Sequence, residues 1–237
     1  MKIVALTDIH GKYDVASAII RVEKPDAVVI GGDLTTVGTL KEAADALEMF
    51  RCECGTLLVV AGNMDLPEHD DMFFQMGYSI NGRGRLVGDV GFFGVSAAPH
   101  SRLKTPYEIS EDRIMALARA GFAEVRDARV KIFVPHAPPY GTRVDIIHIG
   151  IHVGSTAVRE FIEDYAPDAV VCGHIHEGRG TDAIGDTKIV NCGQAICIDH
   201  PTTTAFDVVT LPENTDQFIH YHLANEINHQ PLYATQS

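Results

Sequence analysis

The chain has 237 residues, 46% of them apolar and 22% charged, enough to bury a hydrophobic core without a disulfide framework. Lys and Arg number 19 against 32 Asp and Glu, and the net charge of −13 argues against general nucleic-acid binding and against adhesion to an anionic membrane. No apolar run approaches the roughly 18 residues of a bilayer span, and the apolar stretch from Ile3 to Leu6 is too short for a signal-peptide core. Cys52, Cys54, Cys172, Cys192 and Cys197 are odd in number and lack zinc spacing, which suits a reducing cytosol and gives cytoplasmic location as the expectation.

In chain order, Lys2–Leu6 reads as a buried strand, followed by a helix over Tyr13–Val22 with Val15, Ala18, Ile19 and Val22 on one face. Ala27–Ile30 is a second strand, Leu40–Phe50 a second amphipathic helix, and Leu57–Val60 a third strand. Residues 96–120 read as an irregular segment, Ser96 to Pro106, and then a helix, with Thr105 to Glu108 offering a capping box. That segment is a candidate insertion over a site. Lys131–Val134 and Ala169–Val171 are two more strands, with a helix between them capped by Ser155. These strands are rich in Val and Ile and lack polar alternation, as parallel strands covered on both faces do. Asp182–Ile184, Thr187–Val190, Thr204–Thr210 and Phe218–Leu223 look like antiparallel strands, and the polar tail after Leu223 is expected to fray. The pattern predicts one α/β domain over residues 1–237. Pro25-Asp26-Ala27-Val28-Val29-Ile30-Gly31 is echoed by Pro167-Asp168-Ala169-Val170-Val171-Cys172-Gly173, which marks two equivalent strands.

Each apolar strand ends in polar donors. Lys2–Leu6 leads to Asp8 and His10, Ala27–Ile30 to Asp33, and Leu57–Val60 to Asn63. Lys131–Val134 leads to His136, and Ala169–Val171 to His174 and His176. The carboxyl edge of an open α/β sheet is where ligands bind. Two carboxylates, one amide oxygen and four imidazoles suit Mn, Fe, Zn, Co or Ni better than Ca or Mg. Seven donors are too many for one tetrahedral ion and fit two ions that share a bridging carboxylate. Glycines before Asp33, Asn63 and His174 allow sharp turns and close approach.

The set Asp8-x-His10, Gly32-Asp33, Gly62-Asn63-Met64-Asp65, His136 and Gly173-His174-Ile175-His176 resembles the calcineurin-like metallophosphoesterase family, and the surroundings of His136 (His-Ala-Pro-Pro-Tyr-Gly-Thr) and His152 (His-Val-Gly-Ser) resemble its compact prokaryotic branch. The resemblance implies a four-layer αββα sandwich with two central mixed β-sheets. It implies that Asp8, His10 and His176 hold one metal, that Asn63, His136 and His174 hold the other, and that Asp33 bridges them. Manganese is the favoured ion. The family commonly has histidine after the motif asparagine, where it contacts phosphate and protonates the leaving group. This chain has Met64, which can neither donate a proton nor carry charge.

Two divalent ions bring +4 and Asp8 with Asp33 brings −2, so the site is locally about +2 and suits phosphate. Two ions roughly 3.5–4 Å apart can deprotonate a bridging water, and that hydroxide attacks phosphorus in line. The expected function is a dimetal phosphoesterase, with phosphodiesters favoured because of Met64, acting on a soluble substrate. A phosphomonoesterase, a nuclease of the same fold and a non-catalytic protein-binding scaffold are the alternatives, and a homodimer is left open. Asp33, Asn63 and His152 are the candidate catalytic residues, with Asn63 and His152 on the substrate. His152 has a second reading, as a hydrogen-bonded structural histidine, and Asp145 is a candidate to orient a neighbour. Asp65 is expected to partner a metal-binding histidine. His100 and His148 read as ordinary loop or surface residues, His69 as solvated, and His220 and His222 as structural or surface residues.

Overall fold

The computed structural model describes residues 1–193 and the backbone of three later strands. In chain order the elements are β1 (Lys2–Leu6), α1 (Tyr13–Glu23), β2 (Ala27–Gly31), α2 (Leu40–Arg51), β3 (Thr56–Val60) and α3 (Pro67–Gln75). Then come β4 (Gly84–Val87), β5 (Val90–Val95), β6 (Ala98–Pro99), β7 (Glu108–Ile109), α4 (Glu111–Val125), β8 (Val130–Pro135), α5 (Thr156–Tyr165) and β9 (Ala169–Cys172). The chain continues through β10 (Gly180–Ile184), β11 (Thr187–Asn191), β12 (Ile196–Asp199), β13 (Phe206–Thr210) and β14 (Ile219–Leu223). The side chains of Cys197, His220 and His222 and the tail after Leu223 lie outside the described residues.

Two mixed sheets stack between helices. The first has the order β12-β1-β2-β3, with β1, β2 and β3 parallel and β12 antiparallel to β1. The second has the order β10-β11-β9-β8-β5-β4, parallel from β11 to β5 and antiparallel at both edges. Alternate residues of each strand serve different layers, as a period of two requires. Val4, Leu6, Val28 and Ile30 pack with α1, α2 and α3, while Ile3, Ala5 and Val29 face Phe92, Ile132 and Val171 of the second sheet. Phe93, Phe133 and Val170, on the far side of that sheet, meet Ile114, Phe161 and Ile162 of α4 and α5. The result is the four-layer αββα sandwich, and the absence of polar alternation follows from these doubly covered strands.

The echoed segments have matching roles. Both α1 and α5 end on a left-handed residue, Lys24 and Ala166, followed by proline. Asp26 then accepts the Lys2 N–H at 2.7 Å, and Asp168 accepts the Lys131 N–H at 2.8 Å. Each aspartate ties the start of its strand to the start of the neighbouring strand, β1 or β8, and so sets the register that brings their carboxyl ends level.

Ser155 caps α5 as its sequence indicates, accepting the Val158 N–H at 3.1 Å. Thr105 and Glu108 do not cap a helix. Ser110 caps α4 by accepting the Arg113 N–H, and β7 comes before it, paired in parallel with β6. The Thr105–Glu108 pair closes a loop instead, because the chain must return across the sheet edge before α4 begins. Three elements have weak sequence signals: α3, β4 and β5. No helix among the described residues is long and apolar enough to cross a membrane.

Candidate metal centre and cleft

All seven strand-end donors converge. Asp8, His10 and His176 place ligand atoms within 4.8 Å of one another, as do Asp8, Asp33 and His136. Asp33 Oδ2 lies 3.7 Å from His10 Nε2 and 3.6 Å from His136 Nε2. Asn63 Oδ1 lies 3.0 Å from His136 Nε2 and 2.7 Å from His174 Nδ1. His176 Nε2 lies 3.2 Å from Asp8 Oδ1.

The backbone that delivers them is unusual. Asp8, His10, Asp33 and His174 all have positive φ, between 47° and 66°. Asp and His enter this region more readily than most residues, yet such positions are strained and cluster at functional sites. The loops interlock through main-chain bonds: Asp8 N–H to Gly32 O, His10 N–H to Asp33 O, and Gly173 N–H to His136 O, each at 3.0 Å. A Cβ at Gly62 would overlap Asp33, and one at Gly173 would overlap Asp8. Glycine is needed at both so that neighbouring loops can touch.

The donors fit divalent metal. The Nδ1 of His136 faces the Gly31 carbonyl at 2.9 Å, so that nitrogen carries the proton and Nε2 presents its lone pair to the centre. The His10 ring is oriented by Thr36 Oγ1, 2.9 Å from its Nδ1. Without a cation the cluster redistributes protons. Burial opposes charge on Asp33, but His136 prevails and holds its carboxyl below the usual range. His136 is pushed up to about 9, because Asp33 outweighs burial. His174 is pushed down to about 4 by burial and by His136 beside it. Two buried carboxylates among four closely packed imidazoles suit a divalent cation.

Asp65 is fully buried, and its bonds go to backbone and a hydroxyl rather than to an imidazole. It accepts from Leu34 N–H, Thr35 N–H, Thr35 Oγ1 and Gly62 N–H at 2.8–3.2 Å, which braces the loops carrying Asp33 and Asn63. His69 is also buried, not solvated. Pro67 opens α3, and His69 Nδ1 accepts the Leu66 N–H at 2.8 Å while its ring stacks on Phe73.

A cleft of about 990 Å³ rises from the donors, with His10, Asp33, Asn63 and His174 in its floor and Met64 beside them. One wall is the loop between β6 and β7. Glu108 holds it by accepting from Ser101 N–H, Ser101 Oγ, Thr105 N–H and Thr105 Oγ1 at 2.7–3.0 Å. Burial opposes the Glu108 charge, but these bonds prevail and hold its carboxyl at about 2. The other wall is a small hairpin over residues 146–152, closed by Ile147 N–H to Ile151 O at 3.1 Å. Asp145 anchors it, accepting from the N–H groups of Gly141, Thr142 and Gly154 at 2.9–3.0 Å.

His152 Nδ1 lies 2.6 Å from Asp145 Oδ1, and the lining residues beside it are Ile151 and Val153. This geometry supports the hydrogen-bonded reading of His152. His100 and His148, expected to be ordinary loop or surface residues, both line the cleft. Nothing local in the sequence marks them, because the walls are shaped by Glu108 and Asp145 at the loop bases.

Asp70 of α3 buttresses the first wall. It accepts from Tyr107 Oη and Ser96 Oγ at 2.8 Å and from Asn81 Nδ2 at 2.7 Å. Burial pushes its carboxyl up from 3.8 to about 6 despite these bonds. Between those values the folded protein keeps a proton that the unfolded chain has lost, so stability falls as pH rises through the window. Asp70→Asn is expected to remove this slope, about 1.4 kcal/mol per pH unit within the window. Urea unfolding of both proteins from about pH 4 to pH 8 checks it: the variant should gain on the wild type up to about pH 6, and a constant difference refutes it.

A family model for calcineurin-like phosphoesterases matches residues 1–178. The chain is 33% identical over 195 residues to the protein MJ1162 of Methanocaldococcus jannaschii, covering 81% of this chain and 87% of that one. Among solved structures, TT1561 of Thermus thermophilus superposes with a TM-score of 0.62 at 16% identity, covering 81% of this chain and 89% of that chain. A 5'-nucleotidase, so named provisionally, from Staphylococcus aureus gives a TM-score of 0.54 at 13% identity, covering 85% of this chain and 51% of that one. These two structures share the fold, and the family match takes in all seven donors. By that match over three-quarters of its length, this chain is a member of the calcineurin-like phosphoesterase family, whose hydrolases act on phosphoesters with divalent metal.

Proposed function

We propose that the chain is a dimetal phosphodiesterase that hydrolyses a soluble substrate, with manganese as the favoured ion. The observation that carries this reading is the convergence of all seven donors, five of which (His10, Asp33, Asn63, His174 and His176) line one cleft, with the thioether of Met64 beside them instead of an imidazole. Asp8, His10 and His176 would hold one ion and Asn63, His136 and His174 the other, with Asp33 placed near both His10 and His136 to serve the two. When bound, two such ions supply Lewis acidity and a water of lowered pKa.

The chain's own residues do the rest. Asn63 turns its amide oxygen to the imidazoles, which leaves its nitrogen to donate to a phosphate oxygen. Gly31 O keeps the proton of His136 on Nδ1, and Thr36 Oγ1 holds the His10 ring in place. Asp145 and His152 hold a cleft wall and so position substrate indirectly. Met64 offers no proton, which favours esters whose leaving group departs unprotonated.

The test is elemental analysis after reconstitution, together with rates on an aryl diester and an alkyl monoester. About two transition ions per chain and metal-dependent diester hydrolysis are expected. Metal content near zero, with no metal-dependent turnover, would support the scaffold reading.

A further inference from the structure

The cleft above the donors is apolar. Its walls contribute Leu103 from the first loop and Ile147, Ile149, Ile151 and Val153 from the hairpin, with Met64 at the base. Leu103, Ile149 and Ile151 are 84%, 75% and 52% exposed, which places three large aliphatic side chains in water around one concavity. Arg102 is the lone Lys or Arg among the described lining residues, while Glu177 Oε1 lies 3.7 Å from His148 Nε2. Glu108 accepts four hydrogen bonds from its own loop, and its Oε2 also lies 3.8 Å from His100 Nδ1. Beyond the floor, therefore, the cleft offers one permanent cation, Arg102, and two imidazoles, His100 and His148, that each sit beside a carboxylate, which is a weak set for a second phosphate, so nucleotide polyphosphates and nucleic-acid strands fit it poorly.

We infer that the cleft receives an apolar alkyl or aryl arm of the phosphoester, lying between Leu103 and the Ile149–Ile151 hairpin while the phosphate sits on the floor. The inference rests on the phosphoesterase reading for the position of the phosphate. It takes its chemistry from the walls, which are continuous with the donors. Hairpin and loop are each tied at the base by one carboxylate, the buried Asp145 and the partly exposed Glu108, so the aliphatic tips are presented on a fixed frame.

Two measurements separate this inference from the reading beneath it. The first is calorimetric binding of methyl-, butyl- and octylphosphonate, which are not hydrolysed, to metal-loaded protein. Affinity should rise roughly three- to four-fold per methylene until the cleft is filled. The second is kcat/KM for methyl, butyl and phenyl p-nitrophenyl phosphate, which share one leaving group, and it should rise in that order, mainly through KM. The double variant Leu103→Ser/Ile149→Ser should flatten both series. Leu86→Ser, at an exposed apolar residue of β4 away from the cleft, should leave both slopes unchanged.

Hydrolysis of all three diesters at equal rates, with flat phosphonate affinities, overturns the inference and leaves the phosphodiesterase reading intact. Graded phosphonate binding without hydrolysis of any ester supports the inference and removes that reading. A concentration-dependent dimer in sedimentation that the double variant abolishes would assign the aliphatic tips to a second copy of this chain and overturn the inference.

Discussion

Asp33→Asn is expected to lower turnover by more than about 100-fold, beyond the loss usual for a residue that only orients a metal ligand. Asparagine matches aspartate in shape, tolerates the left-handed backbone found at this position, and can still accept the Met64 N–H that Asp33 Oδ1 accepts at 2.7 Å. The charge alone is lost, and with it the attraction to both His10 and His136. Asp33→Ala should be equally inactive, with the sheet core still folded because the residue lies past the end of β2, and it adds strain because alanine tolerates positive φ less well. Metal content, thermal unfolding and diester turnover of the two variants check this. Near wild-type turnover of Asp33→Asn with full metal content would show that Asp33 is not the shared ligand.

Met64→His is expected to raise alkyl monoester hydrolysis selectively, by up to about 10²–10⁴-fold, the usual contribution of a placed general acid. Met64 lines the cleft next to the floor, and its backbone is pinned to Asp33, so a histidine there starts from a fixed position. Aryl diesters should change little, because their leaving groups need no proton. The measurement is kcat/KM for an alkyl monoester and an aryl diester in both proteins, at matched metal content. An unchanged ratio would remove Met64 as the cause of substrate preference. Efficient alkyl monoester hydrolysis by the wild type would point to another acid, with His100 and His148 in the cleft as the first to replace.

The donors were legible because each follows a doubly buried strand, and runs such as Ala27–Ile30 and Ala169–Val171 announce themselves by composition. Pro25-Asp26 and Pro167-Asp168 also marked equivalent places, although their clamps on Lys2 and Lys131 are long-range and invisible locally. β5 reads poorly because Gly91 and Gly94 interrupt it. Both are required by packing, since a Cβ at Gly91 would meet Val125 and one at Gly94 would meet Val60. α3 buries only His69 and Phe73 in an otherwise acidic, polar stretch, so its apolar face is too thin to register. His69 looked solvated for the same reason. Residues 96–120 read as a candidate insertion over a site and Asp145 as orienting a neighbour, but the shape of the cleft walls was hidden, because Glu108 and Asp145 set it through bonds made in tertiary structure and residues 98–108 carry no periodic pattern.

The four left-handed donors bear on how such a protein ages in evolution. Strain of this kind amounts to about 1–3 kcal/mol per residue, and glycine would relieve it. On the proposed function, replacing one of these residues by glycine would relieve backbone strain at the expense of turnover, and at Asp8 and Asp33 also of the bonds they accept from the His174 and Met64 N–H groups. A duplicated copy relieved of selection on catalysis would shed them early and keep its two sheets intact. Non-catalytic descendants of this architecture are thus a short mutational step away, and their origin would be recorded in the surviving glycines at 62 and 173 beside emptied donor positions.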